Sequence, residues 1–388
     1  MYNAVRIAMG LMSGGLLVLG CGSSSDSRGT AGTGSAGAGA SGALNQGGNG
    51  NTAGAGSSGA PSSGAGGQSS AGANAQGGAS NGGASAGSSS IAGKGGSAGS
   101  GGAPPAPNLI WKLEGASFPY RSVWGSGPND IDVVGLSGRI VHSVGDGQWP
   151  TQPTTTSANL TGIWGSSATD IYVSVNSNFI LHSVGDGTWQ HQDYTAGTVF
   201  DDVWGSGPAD VYVVGPGVVH GTGGGRWATP PQDSGTGSEF AIWGSSATDI
   251  YVARDGSGDQ TISHSAGDGA WKSQITPAGG PKMHKIWGAD ATHIYAAGGG
   301  VILFSTGDGT WVPQLTLSTE GIMAVWGLDA DNVYACTNAG HLYYSDGRTW
   351  SAPQPYDSMA GNLCEDIWGT APDNLYLATG SGIFHGTL

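Results

Sequence analysis

Five histidines recur at one place in a long internal repeat: His142, His182, His220, His264 and His385, with Phe304 and Tyr344 at the two remaining equivalents. Imidazoles at regular spacing invite a metal reading. Copies spread around a ring would be too far apart to share a zinc whose ligands lie at about 2 Å. Replacement by Phe and Tyr points instead to a flat side chain packing between repeat units. The aspartates that recur in turns raise the question of calcium, yet a calcium site needs about six oxygens, and single carboxylates among glycines do not assemble one. Glycoside hydrolysis needs a convergent carboxylate pair, or a tyrosine nucleophile with an acidic helper and an arginine cluster. Beyond residue 107 the chain holds Arg121, Arg139, Arg226, Arg254 and Arg348, and Glu114, Glu239, Glu320 and Glu365. Arg121, Arg139 and Arg226 fall in different positional classes of the repeat and outline no shared pocket. There is no Ser-His-Asp arrangement, phosphate loop or zinc motif, so no catalytic residue, metal ligand or cofactor is assigned.

The repeat that must position these groups is an apolar residue, Trp, Gly, a small polar turn, an aliphatic residue and usually Tyr. Its Trp-Gly pairs begin at Trp124, Trp164, Trp204, Trp243, Trp287, Trp326 and Trp368, with steps of 40, 40, 39, 44, 39 and 42 residues. Each unit divides into four strand-like pieces. In the second they are residues 160–164, 170–174, 179–183 and 188–191, rich in β-branched and aromatic residues and bounded by Gly, Ser, Asp or Asn. A four-stranded meander cannot bury both of its faces alone, whereas radial repetition buries them all. The expected fold is all-β, a seven-bladed β-propeller of four-stranded antiparallel blades.

A second Trp closes six units, at Trp149, Trp189, Trp227, Trp271, Trp311 and Trp350, but the seventh ends at Leu388 without one. The missing piece lies ahead of the first unit, in residues 109–113 around Trp111. An N-terminal strand completing the last blade would join the ends of the ring and remove its exposed edges. Asp130, Asp170, Asp210, Asp249, His293, Asn332 and Asn374 follow the first strands, where Asp and Asn are expected to bond backbone amides and start the second strand.

Between the third and fourth strands, Ser345-Asp346-Gly347-Arg348-Thr349-Trp350 resembles the Asp-box of sialidase-type and BNR-repeat propellers. Ser143 to Trp149, Ser183 to Trp189, Ser265 to Trp271 and Ser305 to Trp311 are variants with an added Gly. The region from residue 109 onward resembles BNR or Ycf48-like propellers and, more loosely, tectonin-type lectins. In that group the box marks architecture rather than chemistry, so the resemblance implies a fold and leaves the task open.

Residues 1–20 read as a secretory signal: Arg6 precedes an apolar run from Ile7 to Leu19 that is too short and too Gly-broken to span a bilayer comfortably. Val18-Leu19-Gly20-Cys21 resembles the lipobox of bacterial lipoproteins, which implies a diacylglycerol on Cys21 and membrane lipid as a partner. Gly22, rather than Asp, after that cysteine favours the outer membrane, with the domain surface-exposed or facing the periplasm. Residues 21–107 are almost entirely Gly, Ala and Ser, unable to offset the cost of ordering a backbone, and read as a disordered tether of about 50 Å mean span. Residues 108–388 form the propeller. A formal net charge of −15 makes nucleic acid an unsuitable partner.

Variation between units is concentrated in the blade-to-blade connections and in the loops between second and third strands, of which residues 255–260 are the longest. In a radial meander both sets emerge on one face. Loops on a rigid scaffold are where recognition resides, and Tyr194, Asp255, Gln274 and Tyr356 are the exposed residues expected to contact a ligand there. Cys336 and Cys364 sit on adjacent blades, where a disulfide is permitted if their heights along the strands match. The expected function is a monomeric, lipid-anchored, non-catalytic module of the cell envelope that binds a protein or a glycan. An Asp-box-type hydrolase, should carboxylates converge in the central pocket, and a periplasmic assembly factor are the alternatives.

Overall fold

Short runs of Val, Ile, Tyr and Trp broken every few residues by Gly, Asp or Ser pair with their sequence neighbours, because a tight turn makes the antiparallel hairpin the nearest available partner. The computed structural model describes residues 107–194, 199–229, 238–254, 262–274, 276–277, 280–356 and 363–388. These form seven four-stranded antiparallel sheets. Blade 2 is representative, with strands Leu160–Ser167, Asp170–Val175, Phe179–Ser183 and Gln190–Asp193 in spatial as well as sequence order. Cys21 and the tether lie outside the described residues, as does Asp255.

The first strands of neighbouring blades touch one another around the whole circle, including Tyr120–Gly127 of blade 1 against Cys364–Ala371 of blade 7, and so line a central channel. The core lies between blades. Val134 and Ile140 of blade 1 pack with Leu160, Ile163, Ile171 and Val173 of blade 2, and Val123 and Ile131 of blade 1 pack with Trp368 and Tyr376 of blade 7. Such a core is complete only when every blade has two neighbours.

The Trp-Gly dipeptide has a direct cause. A Cβ on Gly165 would lie 2.5 Å from the Trp124 ring, one on Gly205 2.6 Å from Trp164, and one on Gly125 2.5 Å from Trp368. At six of the seven seams the indole thus covers the Trp-Gly glycine of the next blade, and only glycine leaves it room; at Gly369 the nearest atoms are those of Asn374 and Leu375.

The seam is closed as the Trp count suggests. Ile110–Glu114 pairs antiparallel with Ile383–Thr387, with Trp111 opposite Gly386, one residue further along than the expected 109–113. Its indole covers Gly386 and meets Tyr356 edge-on at 6.1 Å. The Cys336–Cys364 disulfide, with Cα atoms 6.0 Å apart, adds a covalent tie between blades 6 and 7.

One turn class differs from expectation. Asp170 accepts a hydrogen bond from Ser166 Oγ (2.6 Å) and pairs with His182 Nε2 (2.8 Å), rather than taking backbone amides. The turns after the third strands do take them. Ser183 Oγ accepts from Gly185 N (3.1 Å) and Asp186 Oδ1 from Thr188 N (2.9 Å), with Gly185 and Gly187 both near φ 78°. Outside blade 1 the histidines stack within a blade rather than between blades: His182 lies 4.5 Å from Tyr172 and His220 4.2 Å from Tyr212, because the two residues are cross-strand partners.

Candidate functional site

The two faces of the ring are chemically unlike. On one, the turn after the third strand rests on the turn after the first: a Cβ on Gly185 of blade 2 would meet Ala168 O at 2.1 Å, and one on Gly307 of blade 5 would meet Ala291 O at 2.3 Å. On the other, the second strands end against the blade-to-blade connections, as Gly215 does against Val199 O and Gly298 against Lys282 O. The two variable loop sets therefore share a face, and the first strands enter the channel from it.

At the mouth of the channel the repeat breaks down. The residues two before each Trp are Ser122, Gly162, Asp202, Ala241, Lys285, Ala324 and Asp366, a single lysine and two aspartates among small residues. Lys285 Nζ of blade 5 lies 3.3 Å from Asp366 Oδ1 of blade 7, a bond that skips blade 6 and so reaches across the channel. The other oxygen, Asp366 Oδ2, accepts from Ser122 Oγ (2.6 Å) and Val123 N (3.2 Å) on blade 1. Asp202 Oδ1 accepts from Val203 N (2.9 Å), and its Oδ2 from Ile242 N (3.2 Å) on blade 4. One step nearer the mouth, Arg121 Nη1 donates to Glu365 Oε1, again joining blades 1 and 7.

Burial pushes the Asp202 carboxyl up to about 6, against the pull of Lys285 and the two amides. Burial also works against the charge on Lys285, yet Asp366 and Asp202 together hold its ammonium above the usual lysine range. Nearby, burial pushes Glu239 up to about 7 in spite of Arg254, 3.4 Å away. Asp202 and Asp366 thus converge in the channel on a lysine, and each is committed as an acceptor across a blade seam. The arrangement fixes a polar, charged and asymmetric floor beneath the variable loops.

The residues expected to meet a ligand are not gathered there. Tyr356 is only 3% exposed, its hydroxyl donating to Thr337 O at 3.3 Å and its ring wedged between Trp111 and Phe384, which corrects the expectation that it is exposed. Gln274 is half-buried and accepts from Trp311 Nε1 at 3.2 Å. Gln152, Gln192 and Gln314 hold Trp189, Trp227 and Trp350 in the same way, so the glutamine belongs to blade packing. Tyr194 is half-buried too, sharing a short hydrogen bond with Thr229 and packing on Phe200. Sequence reasoning missed Asp202, Lys285 and Asp366, and named Arg121 and Glu365 without bringing them together. Aligning the units on Trp and reading two and three positions upstream would have found them.

No protein-family model matches the chain, and no curated protein matches it. Solved structures do. A structure described as YCF48 bound to D1 peptide is 15% identical, covers 74% of this chain and 97% of its own, and superposes with a TM-score of 0.61. YCF48 from Cyanidioschyzon merolae is 18% identical over 71% of this chain and 98% of its own, with a TM-score of 0.59. A streptogramin B lyase is 14% identical over 72% of this chain and 98% of its own, at 0.63. The likeness is one of fold. A peptide binder and a lyase share it, so the task must be argued from the site.

Proposed function

We propose that this chain is a non-catalytic protein-binding module, held to a bacterial outer membrane through a lipid on Cys21, with its partner received on the loop-bearing face at the channel mouth. The observation that carries the reading is the asymmetry of that mouth. Seven equal blades offer a partner seven equal footholds, whereas one lysine, two aspartates and one Arg–Glu pair at unequal positions define a single orientation. Pre-organised charges beneath variable loops favour recognition of an extended, charged polypeptide segment. The likeness in fold to YCF48, described with a bound D1 peptide, is consistent with this use of a propeller.

A peptide library selected on the full chain tests it. Selected peptides should bind the wild type, weaken by about tenfold or more with Lys285→Ala or Arg121→Ala, and be indifferent to Asp186→Ala on the opposite face. Peptides that ignore both channel variants would sink the proposal. The anchor is tested separately, since Cys21→Ala should abolish radiolabelled palmitate incorporation and release the chain from the membrane fraction.

A further inference from the structure

One of the seven blades lacks the tyrosine of the ring stack. Opposite the first-strand Trp, blades 2 to 7 carry Tyr, as in Tyr172 and Tyr212, but blade 1 carries Asp132 opposite Trp124 and His142. In blade 2 the imidazole lies against Tyr172 and turns Nε2 to Asp170. His142 has no tyrosine to lie on. It turns Nδ1 toward two carboxylates, 3.2 Å from Asp132 Oδ1 and 3.7 Å from Asp130 Oδ1.

The space the absent phenol would fill stays open. A cavity of about 250 Å³ lies between blades 1 and 2, lined by Asp130, Asp132 and His142 on one side and by Gln152 and Trp189 among others. Asp132 is only 2% exposed. Its Oδ1 is paired with His142. A buried carboxylate is costly unless charge or hydrogen bonds compensate it, and Asp132 shares its one imidazole with Asp130, to which Ser126 Oγ also donates.

We propose that Asp130, Asp132 and His142 form a binding site for one divalent transition-metal ion, zinc or manganese in character, in the gap between blades 1 and 2. One ligand atom from each residue lies within 4.8 Å of the other two. Ligands at about 2.1 Å from a tetrahedral ion are about 3.4 Å apart, so a small contraction completes the set. Two carboxylates and a neutral imidazole carry two negative charges, which a divalent ion balances. Mixed oxygen and imidazole donors suit zinc or manganese better than the all-oxygen cage of calcium. The cavity leaves room for water on the open positions. The other six blades cannot do this, because tyrosine occupies the place of the second carboxylate.

Equilibrium dialysis of the full chain against micromolar zinc or manganese chloride, followed by elemental analysis, tests the site. The wild type should retain one equivalent. Asp132→Asn, which keeps the volume, should weaken retention by at least about tenfold. Asp132→Tyr, which restores the residue of the other blades, should abolish retention and melt no lower than the wild type in metal-free buffer. Asp170→Asn, in the ordinary His–Asp pair of blade 2, should retain the ion in full. Failure of the wild type to retain either ion, retention unchanged by Asp132→Asn, or an equal loss with Asp170→Asn would each overturn the assignment.

Discussion

Two concentric levels of the molecule diverge in how faithfully they keep the repeat. Farther out along each blade, Trp, Tyr and the third-strand ring recur almost unit by unit: the Trp164, Tyr172 and His182 set of blade 2 returns as Trp204, Tyr212 and His220 in blade 3. At the channel the corresponding series runs through Ser122, Gly162, Asp202 and Lys285 to Asp366 with no two neighbours alike. The reason is geometric. A residue between blades meets only its own two neighbours, so one good solution serves seven times. Residues at the channel share a single space, where seven identical charges would repel and seven identical large side chains would collide. Repetition therefore marks packing, and its loss marks the places free to acquire a task.

The largest test of that contrast is to open the ring. Deleting residues 108–114 removes the fourth strand of blade 7 and exposes the edge of Ile383–Thr387, so cooperative thermal unfolding should be lost and aggregation should follow. A ring that melted unchanged would show that the inter-blade level does not depend on closure. Reducing the Cys336–Cys364 bridge, which spans 28 residues, should come next, with a loss of up to roughly 3–4 kcal/mol in chemical denaturation.

At the channel, Lys285→Ala leaves Asp366 and Asp202 without their cation and should cost about 1–3 kcal/mol, partly relieved in Lys285→Ala/Asp366→Ala, a double-mutant cycle that isolates the pair. The same level should govern a pH response. The Asp202 carboxyl titrates near 6 in the fold and near its ordinary value when unfolded, so between those limits the native state holds the extra proton. Its contribution to stability is therefore fully present at acid pH and is lost as pH rises through about 6. Glu239, pushed up to about 7, acts in the same direction. Melting temperature should fall from pH 5 to pH 7 by less in Asp202→Asn than in the wild type. The smallest effect belongs to the repeated level. His182→Phe copies what blade 5 already holds at Phe304 and should change stability by less than about 1 kcal/mol.

Much of the architecture was legible because it is periodic. The Trp spacing, the four apolar runs per unit and the displaced Trp111 predict seven blades and the transplanted strand, which the structure places one residue later, at Ile110–Glu114. The candidate contact residues were less legible. Tyr356 and Gln274 read as surface because they sit in irregular connections, yet Tyr356 fills the gap beside Trp111 and Gln274 takes the indole of Trp311 from the neighbouring blade. Polar and aromatic residues near loops carry no local sign of whether they face water or the next unit.

The sequence by itself determined the number of blades, the strand order within them and the way the ends are joined, since each of those follows from local periodicity and a count of tryptophans. Only the tertiary structure decided that Lys285 reaches Asp366 across the channel, that Cys336 and Cys364 stand at one height, and that Asp132 leaves a cavity with His142 and Asp130 at its wall. These depend on distances between residues 10 to 81 positions apart in the chain, set by how blades tilt and meet. A repeat specifies the contacts it makes with copies of itself. What its exceptions do depends on which other exceptions the ring brings opposite them.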